Sequence, residues 1–365
     1  MSALFARRSA PPSPAGAPPI RLMIVDDSIV ARAVLSRMVE IGGGIAIAAV
    51  AGTAEDAIDA LGHVMVDVIM LDLEMPGAGG LSKLPEIIAA ARGARVLIVS
   101  SLAEEGAAET VAALALGAAD TLPKPGTGRF QGRFADVLIA KIRALGNVAE
   151  VRASGGSAPL SVAPLRATPN DPLGLLAIGA STGGIHALGR FFAGLPPVLG
   201  APILVTQHLP VPFMEVFARQ LATAARRPVT IARDGQILEH DAIVIAPGDA
   251  HLTVEPRRGK LGVRLERGRS ASGCLPSVDT MLASVAALGR PGMVAVILSG
   301  MGRDGLDGAA ALVRAGGCCL VQDEASSAVW GMPRAVAEAG LASAILPPEK
   351  LARRVASRVG VSPCR

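Results

Sequence analysis

The stretch VDVIMLDLEMP, residues 66–76, runs from an apolar segment directly into an acidic turn. Four other short apolar segments share the N-terminal part of the chain with it: RLMIVDD, IAIAAVAG, RVLIVSS and ADTLPKP. Helical segments such as SIVARAVLSRMVE lie between them. Short apolar segments that alternate with helical ones are typical of a parallel, doubly wound sheet. The sequence therefore predicts an α/β domain of the (βα)5 type over residues 21–143.

The same alternation resumes at residue 172, after a segment of different composition. Residues 144–171 end in SGGSAPLSVAPLRATPND and predict an interdomain linker, while the Pro-rich residues 1–20 predict a disordered tail. Residues 172–360 again mix strand-like and helical segments, so we expect a second doubly wound, mainly parallel sheet. The segment HLTVEPRRGKLGVRLERG, residues 251–268, predicts an antiparallel hairpin beside it.

Composition excludes several classes of function. The chain has 365 residues, enough for two domains, and 51% of them are apolar, which predicts globular cores. Aromatic residues make up only 2% and Tyr is absent, so base-stacking platforms for nucleic acid are not expected. Apolar runs are too short for a membrane helix, and the four cysteines lack metal-binding spacing. We therefore expect a cytoplasmic protein with reduced thiols, no nucleic-acid partner and no membrane insertion.

Acidic side chains gather at the strand ends of the N-terminal domain. Asp26 and Asp27 end the first strand and Asp72 ends the third, while Ser100 and Lys124 follow the fourth and fifth. The carboxyl ends of parallel strands meet in one crevice, where three carboxylates repel each other unless a cation such as Mg²⁺ is bound. A single Asp there is explained by helix capping. Three, together with a lysine and a hydroxyl, favour a phosphoryl acceptor at Asp72 with Lys124 as the partner of the new charge.

The motifs VDDS, LDLEMP, VSS and KP, in this order, resemble a response-regulator receiver domain over residues 21–143. The resemblance implies phosphorylation of Asp72 by a histidine kinase and a Mg²⁺ ion held by Asp26, Asp27, Asp72 and the Glu74 carbonyl. Two positions depart from the family pattern. Gly79 stands in a position that is usually acidic, and Thr121 stands where receivers carry an aromatic switch residue.

A possible nucleophile lies in the C-terminal domain. GASTG, residues 179–183, fits the pattern G-x-S-x-G and predicts Ser181 on a sharp strand-to-helix turn. Taken alone, a glycine-rich turn of this kind is more often a phosphate loop. His208 and Asp304 also follow predicted strands, however, so the three side chains are expected to meet. Ser181 then attacks an ester carbonyl, His208 moves the proton, and Asp304 orients the imidazole. The order Ser, His, Asp differs from that of α/β-hydrolases.

Six motifs of this domain together resemble the catalytic domain of chemotaxis protein-glutamate methylesterases: GASTGG, QHLP, APGDAHL, PSVD, SGMGRDG and QDEASSAVWGMP. The resemblance implies hydrolysis of glutamate γ-methyl esters on the cytoplasmic helices of methylated chemoreceptors, with deamidation of receptor glutamines as a second activity. It implies Thr182 and the backbone near Met301 as oxyanion donors, and no cofactor for the esterase. His251 of APGDAHL either lines the substrate cleft or satisfies local hydrogen bonds.

Two alternatives remain open at this stage. A receiver joined to a nucleotide-binding module is one, but the strand LVTQH lacks the acidic ribose partner that such a module needs. A docking protein without activity is the other, although all three residues of the catalytic set are present. The two-domain arrangement itself suggests that the unphosphorylated receiver packs over the esterase crevice and that phosphorylation weakens the packing.

Overall fold

The computed structural model describes residues 18–75, 79–100, 104–124, 131–153 and 163–359. Residues 1–17 of the predicted tail and 154–162 of the predicted linker lie outside this range, as does Pro125 of the KP motif.

The N-terminal domain is a five-stranded sheet with helices on both faces. Its strands lie in the order β2-β1-β3-β4-β5, and all four pairs are parallel. The bounds are β1 Ile20–Val25, α1 Ile29–Gly42, β2 Ile45–Ala51, α2 Ala54–His63, β3 Val68–Leu71, α3 Gly80–Ala90, β4 Arg95–Ser100, α4 Glu104–Leu116, β5 Asp120–Pro123 and α5 Gln131–Ala153. Strands β3 and β4 are almost wholly buried, as expected for a parallel sheet covered on both faces. The predicted α/β fold is confirmed.

The helix α5 extends beyond the predicted domain boundary at residue 143 and ends at Ala153. Its last turns contain Ala, Leu, Glu and Arg, which favour helix, and the Ser- and Gly-rich sequence begins only at Ser154. Gly146 lies inside this helix where a Cβ atom would approach Ile20 to 2.5 Å, so the glycine lets α5 pack closely on β1. Residues 144–153, which the sequence predicts as the start of the linker, therefore continue this helix.

The C-terminal domain contains a seven-stranded parallel sheet in the order β14-β13-β12-β6-β7-β9-β8, and a separate hairpin, β10-β11. Its first elements are β6 Leu175–Ala180, α6 Gly184–Ala193, β7 Ile203–Gln207, a 3₁₀ turn at Val211–Phe213, α7 Met214–Ala225, β8 Val229–Ile231, β9 Ile243–Ile245, β10 His251–Arg257 and β11 Lys260–Glu266. The chain continues with α8 Val278–Ala287, β12 Met293–Ile297, α9 Leu306–Arg314, β13 Cys318–Gln322, α10 Met332–Glu338, β14 Ala344–Leu346 and α11 Pro348–Ala356. The predicted parallel sheet with an antiparallel hairpin is confirmed.

The two domains pack against each other through an apolar seam. Helix α4 contacts α6 and α7, and buried side chains of both domains belong to one continuous cluster. Val111 and Leu114 contribute from α4, while Phe213 and Met214 contribute from the other domain. Among the described residues, no helix is both long and apolar enough to span a membrane.

Candidate active site

Three neighbouring strands of the second sheet deliver the predicted catalytic set. Strand β6 lies at the centre, with β12 and β7 on either side. Ser181 directly follows β6, His208 directly follows β7, and Asp304 lies in the loop between β12 and α9. All three strands are parallel, so their carboxyl ends face the same edge of the sheet.

The Ser181 turn depends on glycines. Gly183 has φ 75° and precedes α6; a Cβ atom there would lie 2.4 Å from the Ala328 Cβ and 2.8 Å from the Ser299 hydroxyl. The neighbouring loop also needs a glycine, because a Cβ atom at Gly300 would lie 2.9 Å from the Ser181 Cβ. The two loops can approach this closely only because these positions carry no side chain.

His208 and Asp304 form a direct hydrogen bond. The Nε2 atom of His208 lies 2.8 Å from Oδ2 of Asp304, whose side chain is only 1% exposed. The remaining acceptor positions of Asp304 are also used: the Ser277 hydroxyl donates at 2.9 Å, and the Val278 and Asp279 N–H groups donate at 2.7 and 3.2 Å. These groups form the N-terminus of α8, whose dipole favours a negative charge. The carboxylate is thus held in one orientation.

The electrostatics of this pair favour an ion pair. Burial alone would lower the pKa of His208, but the hydrogen bonds with Asp304 and Cys274 outweigh it and raise the pKa to about 9. Burial likewise opposes ionisation of Asp304, yet the His208 and Val278 hydrogen bonds hold its pKa well below the usual range. Asp304 therefore stays ionised and favours the imidazolium, the species that a general base becomes after it has taken a proton.

Ser181 and His208 face one cavity. Ala180 pairs with Gln207 across β6 and β7, so the two predicted catalytic residues, Ser181 and His208, follow the ends of adjacent strands. Both line a cavity of about 180 Å³. Because Nε2 of His208 is engaged by Asp304, the predicted proton transfer from Ser181 would use Nδ1, the other ring nitrogen.

Gln207, at the end of the next strand, holds the turn that carries the predicted nucleophile Ser181, and the sequence alone did not indicate this contact. Its side-chain amide donates to the Ser181 carbonyl at 2.9 Å. A Cβ atom at Gly184 would lie 2.3 Å from the Gln207 Oε1 atom, so this glycine leaves room for the amide. The motifs GASTGG and QHLP therefore depend on each other, although neither sequence shows it.

The predicted oxyanion donors lie beside Ser181, but one side chain is already engaged. The Thr182 hydroxyl donates to Oδ2 of Asp120 in the other domain, at 2.6 Å. The backbone N–H groups of Thr182 and Met301 have no acceptor within the described parts of the chain. Met301 follows Gly300, whose backbone packs against Ser181. Backbone donors at these two positions remain a prediction.

The acidic cluster of the first domain is assembled at the carboxyl ends of β1 and β3. Carboxylate oxygens of Asp26, Asp27 and Asp72 lie within 4.8 Å of one another. Lys124 lies 2.5 Å from Asp72 and 4.0 Å from Asp26. The buried Oδ2 atom of Asp26 has no hydrogen-bond partner, and burial raises the pKa of this carboxyl. A buried oxygen without a partner, inside a set of hard oxygen ligands, fits a Mg²⁺ ion.

Ser100 and Glu74 are placed near this cluster in different ways. The Glu74 N–H donates to Asp72 at 3.1 Å, which fixes the turn after β3. The Ser100 hydroxyl is buried and lies 2.6 Å from the Thr110 hydroxyl of α4. Ser100 is therefore bonded to α4 in this state, and Thr121 is a buried residue whose hydroxyl has no partner.

Polar contacts cross the seam between the domains close to Ser181. The Gly183 N–H donates to the Ala119 carbonyl at 2.6 Å. Asp120 binds Thr182 as described and also Lys141 of its own domain, at 2.5 Å. His186 of α6 lies with Nδ1 3.0 Å from the Ala115 carbonyl of α4. The cavity that contains Ser181 is also lined by Leu114, Leu122 and other residues of the first domain.

His251 satisfies local hydrogen bonds. Its Nδ1 atom accepts from the Ser277 N–H at 3.0 Å, and Nε2 lies 3.2 Å from the Gly268 carbonyl. The ring is 4% exposed, so it supports the loop before α8 instead of lining the cleft.

Comparison with known proteins covers both domains. The family model described as CheB methylesterase matches residues 176–355, and the one described as response regulator receiver domain matches residues 22–130. Protein-glutamate methylesterase/protein-glutamine glutaminase 2 of Caulobacter vibrioides is 41% identical over 93% of this chain and 99% of its own length. The enzyme of the same type from Azospirillum brasilense is 38% identical over 96% of this chain and 98% of its own length. The crystal structure of the Thermotoga maritima CheB methylesterase catalytic domain is 34% identical, with a TM-score of 0.49, and covers 51% of this chain and 98% of that chain.

Proposed function

Because this chain belongs to the CheB methylesterase family and carries a response-regulator receiver domain, we propose that Ser181, His208 and Asp304 hydrolyse glutamate γ-methyl esters on chemoreceptors. The observation that carries the proposal is the 2.8 Å contact between His208 and the buried carboxylate of Asp304, beside a serine on a glycine-supported turn. The chain is a protein-glutamate methylesterase and protein-glutamine glutaminase whose activity is regulated by phosphorylation.

The reaction follows from the placement of these groups. Ser181 Oγ attacks the γ-carbonyl carbon of the methyl ester while His208 takes its proton. Collapse of the tetrahedral intermediate breaks the bond to the methoxy oxygen, and the imidazolium returns the proton so that methanol leaves. Water then attacks the acyl-enzyme with His208 as base, which regenerates Ser181 and releases glutamate. The same steps on a glutamine side chain release ammonia in place of methanol.

Developing negative charge on the carbonyl oxygen needs donors close to Ser181. The backbone N–H groups of Thr182 and Met301 serve this purpose in our proposal. Asp304 stabilises the imidazolium that forms at each proton transfer, and its three other donors keep it from rotating away. The esterase chemistry requires no cofactor in this scheme.

The receiver controls access to this site. Asp72 accepts a phosphoryl group from the histidine kinase of the chemotaxis pathway. The clustered carboxylates of Asp26, Asp27 and Asp72, together with the Glu74 carbonyl, would hold a Mg²⁺ ion, which would neutralise negative charge on the phosphoryl group. Lys124 pairs with the new charge. If Ser100 turns toward the phosphoryl group, it must leave Thr110 and thereby releases α4, which packs on α6 and α7. Phosphorylation thus weakens the seam that covers Ser181.

The partners define where the enzyme works. Its substrates are the methylated cytoplasmic helices of chemoreceptors, and its phosphodonor is a cytoplasmic kinase. We therefore expect the chain to act in the cytoplasm.

A labelling experiment tests the catalytic proposal. A fluorophosphonate should modify Ser181, and Ser181→Ala and His208→Ala should both abolish the labelling and methanol release from methylated receptor membranes. Ser357→Ala and His63→Ala are matched controls, since both side chains are exposed and neither lines the cavity that contains Ser181; Ser357 follows the last residue of α11 and His63 ends α2. Labelling at another serine, or full activity of His208→Ala, would refute the assignment.

A further inference from the structure

A thiol stands beside the catalytic pair. The Cys274 sulfur, a ring nitrogen of His208 and a carboxylate oxygen of Asp304 all lie within 4.8 Å of one another. Cys274 belongs to the loop before α8 and is partly buried, while its neighbour Leu275 is 46% exposed. The ester hydrolysis described above gives this thiol no task.

These three atoms are a good ligand set for a thiophilic divalent cation. Sulfur, imidazole nitrogen and carboxylate oxygen are the donors that Zn²⁺ and Co²⁺ take in proteins. Tetrahedral bonds of about 2.0–2.3 Å place neighbouring ligand atoms about 3.3–3.7 Å apart. The His208–Asp304 contact of 2.8 Å therefore has to widen by only about half an ångström to admit the ion. The thiolate and the carboxylate together balance its charge.

The surroundings of the cluster are suited to holding a metal ion. Asp304 already accepts hydrogen bonds from Ser277 and Asp279, which would orient a ligating carboxylate. The loop that carries the thiol is open to solvent, with Ser272 and Gly273 exposed, so an ion can enter without disturbing the core. Three protein ligands leave a fourth position for water.

Other thiols of the described chain do not offer such a site. Cys318 and Cys319 are fully buried in β13, and burial raises the pKa of the Cys319 thiol well above its usual value. Cys364 lies outside the described residues and is treated by experiment below.

We propose that His208, Cys274 and Asp304 form an inhibitory site for a divalent cation of the Zn²⁺ class. The bound ion replaces the proton on Nε2 of His208 and the proton of the Cys274 thiol, both of which are released to solvent, and it separates the ring from Asp304. The remaining imidazole proton then sits on Nδ1, so the ring can no longer receive the Ser181 proton. Inhibition is reversible, because a chelator that removes the ion restores the catalytic pair. The proposal rests on the role of His208 given under the proposed function.

Cobalt binding tests the site independently of activity. The full-length, reduced and metal-free protein is titrated with Co²⁺ in excess Mg²⁺, which keeps the Asp26–Asp72 cluster occupied by a hard ion. We expect an ultraviolet charge-transfer band from thiolate to Co²⁺ in the wild type and in Ser181→Ala. The band should vanish in Cys274→Ser and Cys274→Ala and persist in Cys364→Ser. A band that is absent from the wild type, survives both Cys274 variants or follows Cys364 overturns the site.

Zinc inhibition tests the consequence. Fluorophosphonate labelling of Ser181 should stop at saturating Zn²⁺ and return after chelation. Each variant is compared with its own metal-free rate. Loss of supporting residues alone weakens metal sites 10- to 100-fold, so Cys274→Ser should raise the half-inhibiting Zn²⁺ concentration by about 100-fold or more. Cobalt binding at Cys274 without zinc inhibition refutes the inhibitory role. Failure of metal-free labelling at Ser181 would instead refute the catalytic proposal, and the cobalt spectrum would still decide the metal site.

Discussion

Replacing Asp120 with alanine should raise the basal activity of the unphosphorylated enzyme. Asp120 is the receiver side chain that holds the Thr182 hydroxyl, at 2.6 Å, next to the nucleophile. A hydrogen bond to a charged group contributes about 1.5–3 kcal/mol. Its loss shifts the ratio of closed to open molecules by about 10- to 150-fold, at 1.4 kcal/mol for each factor of ten. Basal methanol release should rise up to this factor, limited by the rate of the fully open enzyme.

The assay is methanol release from methylated receptor membranes in an Asp72→Asn background, where adventitious phosphorylation cannot open the seam. Asp136→Ala removes an exposed carboxylate from the same domain and should leave the rate unchanged. Lys141→Met breaks the 2.5 Å contact within the receiver but leaves the acceptor of Thr182, so a smaller rise is expected. Equal basal rates in Asp120→Ala and its parent would show that this contact does not restrain the esterase.

The described geometry supports four further predictions. Asp304 and Cys274 raise the pKa of His208 to about 9, so the neutral imidazole that can act as a base forms only as the pH rises. The rate of Ser181 labelling should therefore increase up to about pH 9 and then level off. A labelling rate that is independent of pH above neutrality would contradict this. The stabilisation that the raised pKa of His208 contributes is complete below the unfolded pKa of 6.5 and is lost as the pH rises through about 9, which thermal unfolding in the same pH series checks. Asp26→Asn should sharply reduce Mg²⁺-dependent phosphorylation by acetyl phosphate, and Asp72→Asn should abolish it. Asp59 is exposed, and Asp59→Asn should behave as wild type. Incorporation of phosphate into Asp72→Asn would rule out Asp72 as the phosphoryl acceptor. Gly183→Ala places an alanine at φ 75° with its Cβ against Ala328, so it should lower the unfolding free energy by about 1–3 kcal/mol and impair labelling of Ser181. The control Gly189→Ala has open space at its Cβ and should be neutral or slightly stabilising. Calorimetry measures both effects on stability.

Most of the fold could be predicted from the sequence because strands of a parallel sheet are short apolar runs that end in turns. Each strand-like segment quoted from the sequence contains an observed strand, and the hairpin at residues 251–268 was also confirmed. The exceptions have local causes. Strand β14 has only three residues at the edge of its sheet, and α11 begins at a pair of prolines, so neither was singled out. Helix α5 continues past the predicted domain boundary at residue 143 because helix-forming residues continue to Ala153.

The candidate site was predictable only as far as strand ends could be recognised. Ser181, His208 and Asp304 follow three strands, and parallel pairing brings them to one edge. Cys274 and Asp120 carry no such signal. Cys274 reaches the site from a loop whose path depends on packing around His251 and Ser277. Asp120 reaches Thr182 from the other domain, so this contact depends on how the surfaces of the two domains pack together.

One contact across the domain seam is made of main chain alone, from the Gly183 N–H to the Ala119 carbonyl. No ordinary substitution deletes either group, and proline, which lacks the N–H, cannot adopt the positive φ at position 183. Side chains around the seam can therefore diverge over evolutionary time while the docking register is retained. For protein engineers, this favours receiver swaps that keep the length and path of residues 115–120, from the end of α4 to the start of β5, and vary only the residues around them.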